Sequence, residues 1–124
     1  MSRFTDAAYV LNGETKNGRP VACLTSPLAY EVGFLGSGWT ITAAAGFCTD
    51  LASLPIWLAR TRIGRRLAAR IARASIVHDR MRSDAAWPKL LGDYVFFEAM
   101  GVDGVALGWR LVCFAAVLVN FRRD

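Results

Sequence analysis

The sequence predicts a single α+β domain over residues 1–124, with a small antiparallel β-sheet in the N-terminal half packed against about three α-helices in the C-terminal half. Three observations carry this. Up to residue 45, apolar residues come in short runs broken by turn dipeptides. After Pro55 they recur at steps of three and four. The composition, 54% hydrophobic and 20% charged over 124 residues, is enough for one core without disulfide staples. No internal repeat or low-complexity linker divides the chain.

In chain order, residues 1–19 are mixed and contain Asn12-Gly13 and Asn17-Gly18, both strong turn dipeptides. The six or so residues before Asn12 suit a strand. Residues 21–25, 28–35 and 39–45 are short apolar segments punctuated by Ser26-Pro27 and Gly36-Ser37-Gly38. Their β-branched and aromatic content and tight turns predict an antiparallel meander. In the second segment Leu28, Tyr30, Val32 and Phe34 alternate with Ala29, Glu31 and Gly33. A sheet with one covered face gives that period.

Residues 46–55, GFCTDLASLP, join this sheet to the helical half. Thr49 or Asp50 can cap a helix there, since a side-chain oxygen accepts from the first free amides. Pro55 suits an early helical position. Beyond it, Ile63, Leu67, Ile71, Ala74, His78 and Met81 share one helix face. Arg62, Arg66, Arg70, Arg73 and Arg80 fall on another. Trp87-Pro88 opens a further helix, with Leu90, Tyr94, Phe97 and Gly101 expected inward, Asp93 within that arc, and Gly101 or Gly104 at its end. Residues 105–121 are apolar nearly all round apart from Arg110, and predict a buried packing helix. The run is at the bottom of the length that spans a bilayer, and a charge inside it is costly, so membrane insertion is not expected. Arg122 and Arg123 complement the negative end of its dipole.

The net charge is +5, and eight of the thirteen arginines lie between Arg60 and Arg82. Aromatic residues do not interleave with them, which argues against stacking on single-stranded nucleic acid. A solvated helix face is the expected role. Cys23, Cys48 and Cys113 stand far apart with no CxxC spacing, so reduced, packed thiols are expected. The N-terminal stretch lacks the apolar core of a signal peptide, and a virion or host-cytoplasm location is expected.

Four polar residues carry the candidate chemistry. Asp50 begins the central turn, His78 and Asp79 close the long helix, and Asp93 lies on the next helix. Asp50, His78, Asp79 and Asp93 are the candidate catalytic residues, and Thr49 and Ser53 add hydroxyls for a bound group. An ionised carboxylate stays buried only with a cation or several donors. Asp50, His78 and Asp93 are the candidate ligands of a divalent metal ion, with Asp79 orienting His78 or completing the shell. Without metal, His78 and Asp93 still make an oriented acid–base pair. The plainer alternative is a core histidine satisfied by a carboxylate and an aspartate that only caps a helix. HExxH, a phosphate-binding glycine loop and GxSxG are all absent.

The order AAAGF, TDLASLP, an alanine-rich helix ending in HD, then GDYVFFEAM, resembles a family widespread in tailed bacteriophages and prophages, domain of unknown function number thirteen fifty-three. The resemblance spans roughly residues 30–100. By position it carries the family's polar residues onto Thr49, Asp50, Ser53, His78, Asp79 and Asp93. Ala44 stands where a proline is common, and Arg80-Met81 where an aromatic or leucine is common. The resemblance implies phage origin and no particular reaction.

The favoured function is a virion-associated component of a tail or its assembly, with other phage structural subunits as partners. The alternative is a small metal-dependent phage hydrolase, with cell-wall peptide as substrate. A nucleic-acid-binding accessory role is the weaker third option.

Overall fold

A computed structural model describes residues 4–5, 9–16, 19–34, 36–49, 56–84 and 86–119. The fold is α+β, with strands β1 (Tyr9–Lys16), β2 (Arg19–Leu24), β3 (Leu28–Glu31), β4 (Thr40–Ala43) and β5 (Cys48–Thr49) ahead of the helices. Then come α1 (Ile56–Ala59), α2 (Arg62–Arg82), α3 (Lys89–Val102) and α4 (Leu107–Leu118). The extra helix is the single turn α1. Thr61 separates it from α2 by capping the longer helix, its Oγ1 accepting from the Gly64 amide at 2.9 Å.

The strands form two small antiparallel sheets and not one meander. One has the order β1-β2-β5 and the other pairs β3 with β4. Ser26-Pro27 is therefore a crossing between sheets and not a hairpin turn. Asn12-Gly13 does not end the first strand, which runs on to Lys16 with a register irregularity between Leu11 and Thr15. The dipeptide falls inside that irregular stretch of the strand and not at a turn. Residues 17–18 lie outside the described set.

Leu28, Tyr30 and Val32 are buried on the covered face, as the alternation requires, together with Ile41 and Ala43 of β4. Phe34 leaves the pattern: it follows Gly33, whose φ is 88°, and is 65% exposed. Helix α2 lies across β3 and β4, while α3 packs on α2 and α4 on α3. The inward face of α2 is Leu67, Ile71, Ala74, His78 and Met81, but Ile63 is exposed in the first turn.

Two helix faces differ from expectation. On α3 the buried residues are Gly92, Asp93, Val95, Phe96, Ala99 and Met100, while Leu90 and Tyr94 are exposed. Helix α3 is apolar on more than one side, so periodicity alone chose the wrong arc. Gly104, with φ 79°, turns the chain after this helix. Helix α4 is not a buried packing helix. Only Cys113 and Val117 are buried within it, and Leu107, Leu111 and Val112 are exposed. Nothing among the described residues covers its other side. Arg110, its one charge, lies over the Phe97 ring at 5.0 Å and against Gly101. No helix among the described residues is long and apolar enough to cross a membrane.

The cysteine expectation also fails. Cys23 and Cys48 are joined in a disulfide, and only Cys113 is a buried free thiol. Their sequence spacing concealed the pairing of β2 with β5, which sets Cys23 directly opposite Cys48.

Candidate functional site

The site is built where the C-terminal part of α2 meets the first turns of α3. His78 and Asp93 are both buried, at 2% and 0% exposure. The His78 Nε2–H donates to Asp93 Oδ1 at 2.7 Å. The Phe96 ring packs on the imidazole with centroids 5.0 Å apart. On the other ring edge, Nδ1 faces Asp79 Oδ1 at 3.8 Å, a charge contact too long for a hydrogen bond. His78 Nδ1 has no hydrogen-bond partner among the described residues.

Lys89 completes the group. It stands one helical turn before Asp93, and its Nζ donates to Asp93 Oδ2 at 2.6 Å. The same nitrogen donates to the carbonyls of Val117 and Leu118 at 2.8 and 2.9 Å. A lysine in the first turn of α3 is unfavourable for that helix's own dipole. It is placed instead at the negative end of α4, whose last carbonyls lack helical donors. All three ammonium protons thus have acceptors, and one buried carboxylate links α2, α3 and α4. This is the role sequence reasoning gave to Arg122 and Arg123, which lie outside the described residues. The Lys89–Asp93 spacing was the signal available for it.

Burial alone pulls the His78 pKa down, but contact with the Asp79 and Asp93 carboxylates outweighs it, and the net shift is upward. Burial pushes Asp93 up, and hydrogen bonds from His78 and Lys89, with their charges, bring it below the ordinary carboxylate value. Asp93 is therefore the ionised acceptor of the group. Burial also raises the Cys113 thiol to about 11, so it is an inert packed group.

Of the sequence-predicted residues, His78 and Asp93 are in contact, and Asp79 borders them at 5% exposure. Thr49 is buried in β5 and paired opposite Ala22, so it is a strand residue and caps no described helix. Asp50 and Ser53 lie outside the described residues, and so does the proposed Asp50 cap. Among the described residues no three histidine, cysteine or carboxylate side chains are placed to share a metal ion. The set Asp50, His78 and Asp93 rests on Asp50 for its third donor. Asp93 is held on both oxygens by His78 and Lys89, which suits it to fixing the imidazole. Asp93 fixes the orientation of the ring from Nε2, and the raised pKa favours the imidazolium, with Nδ1 facing Asp79.

No curated protein and no solved structure matches the chain. The model of a family described as protein of unknown function (DUF1353) matches residues 23–117, a span that includes all six polar residues singled out from the sequence. With well over half of its length matched, the chain belongs to that family.

Proposed function

We propose that this protein is a virion-associated component of a bacteriophage, acting in the tail or its assembly, with other structural subunits as its partners. The observation that carries the proposal is the uncovered apolar surface of α3 and α4. Leu90, Tyr94, Leu107 and Leu111 are each more than half exposed. Pro88, Leu90, Leu91, Tyr94 and Phe114 line an apolar groove of about 590 Å³. Contiguous exposed apolar surface of this kind marks a protein contact site. The His78–Asp93–Lys89 group supports the same function from inside, because it fixes how α4 is presented. The motif order supports the phage origin. Mass spectrometry of purified particles tests this. The chain is expected at fixed stoichiometry, and Leu90→Asp is expected to abolish incorporation while leaving the fold intact. Absence from particles contradicts it.

One observation favours a second function, a small metal-dependent hydrolase acting on cell-wall peptide. It is the buried Nδ1 of His78, held by Asp93 from behind and facing Asp79. In that function His78 and Asp79 supply two donors to a divalent ion, and Asp50, the expected further donor, lies outside the described residues. Such an ion supplies a hydroxide nucleophile near neutral pH. Elemental analysis of natively purified protein separates the two: a stoichiometric metal lost in Asp79→Asn supports the hydrolase, and metal-free protein opposes it.

A further inference from the structure

A second cavity, of about 600 Å³, lies between α2 and the turn joining α3 to α4. That volume is within the range of small-molecule sites. Ile63, Leu67 and Trp109 supply apolar wall, and Arg66 and Arg70 supply charge. The two arginines are four residues apart on one helix and so share a face. Neither has an ion-pair or hydrogen-bond partner among the described residues. The arginines further along α2 differ: Arg73 is paired with Asp103, Arg80 with Asp84, and Arg82 is buried and engaged.

The backbone adds to the same sign of charge. Gly104 brings the main chain close to Arg70, and a Cβ there would lie 3.8 Å from the guanidinium Nη1. Ala106, the N-cap of α4, lines the cavity and offers no side-chain cap. The first amides of α4 are therefore donors without that acceptor, at the positive end of a helix. Trp109 follows in the first turn with 37% of its surface exposed. Two guanidinium groups beside the positive end of a helix suit a phosphate. An indole beside them is suited to a flat ring.

We propose that this cavity binds a small organic phosphate bearing an aromatic group, the phosphate held by Arg66 and Arg70 and the ring by Trp109 and the apolar wall. The proposal does not depend on the function argued above.

Calorimetric titration of the full chain with phenyl phosphate at low salt tests it. One saturable site per chain is expected, with inorganic phosphate at least about fivefold weaker because it leaves the apolar wall unused. In the Arg66→Gln/Arg70→Gln double variant, affinity for phenyl phosphate is expected to fall at least about tenfold. Both side chains are exposed, so the variant is expected to fold, and its circular dichroism melt checks this. Trp109→Leu is a second variant, expected to weaken phenyl phosphate but not inorganic phosphate. The proposal is overturned by no saturable binding of phenyl phosphate, by undiminished binding in the double variant, or by inorganic phosphate binding as tightly as phenyl phosphate. Retention of a single-stranded oligonucleotide without phenyl phosphate binding overturns it too.

Discussion

The two ends of α2 handle charge in opposite ways. Near its C-terminus His78, Asp79 and Arg82 are buried, and each interacts with another group. Near its N-terminus Arg62, Arg65, Arg66 and Arg70 are exposed and none has a partner among the described residues. Burial explains the difference. A charge taken out of water costs several kcal/mol unless it is paired, whereas an exposed arginine keeps its hydration. One end of the helix is therefore a structural joint, and the other is a surface open to a ligand.

The largest effect expected from breaking this contrast is Asp93→Ala. It strands a buried imidazole and an ammonium together, and unfolding in urea is expected to show a loss of about 3–5 kcal/mol. A loss below about 1 kcal/mol would mean the joint is no stronger than an exposed ion pair. Reduction of the Cys23–Cys48 disulfide removes a cross-link elsewhere in the fold, between β2 and β5. A loss of about 2–4 kcal/mol is expected, additive with a change in the helices because the two share no partners.

The pH dependence sharpens the contrast next. The His78 pKa is raised, so its contribution to stability is full below the ordinary value of 6.5 and is lost as pH climbs through the raised one. The Asp93 pKa is lowered, so its contribution is full above the ordinary value of 3.8 and is lost as pH falls through the lowered one. The pair thus stabilises most between those two ordinary values. Urea midpoints across pH are expected to show this plateau in the wild type and to lose the alkaline decline in His78→Gln. An unchanged alkaline decline in that variant would assign it to another group. Smaller again is Thr61→Ala, which removes the cap at the exposed end, at a cost of about 1 kcal/mol. Smallest is Arg66→Gln, expected to change stability by no more than about 0.5 kcal/mol.

Much of this was legible in the sequence where one physical signal dominated. The step of three and four in α2 placed His78 inward because its opposite face is arginine. The strict alternation of Leu28, Tyr30 and Val32 gave their buried face. The signal failed where apolar residues surround a helix, as on α3 and α4, since the period then has no polar side to set its phase. It failed for pairings that depend on topology: Cys23 meets Cys48 only because β5 joins β2 and does not follow β4 in a meander. Lys89 was overlooked although Asp93 stands four residues on, because the carbonyls that fix its place belong to a later helix and leave no mark on residue type. Asp93 was expected beside His78, and its buried contact with the imidazole is present.

The central claim is that His78 and Asp93 act as one unit inside the helical joint. A double-mutant cycle of His78→Gln and Asp93→Asn, read by urea unfolding at pH 6, measures that directly. A coupling of about 1–3 kcal/mol is the expected result. Single losses that simply add, to within about 0.5 kcal/mol, would contradict it.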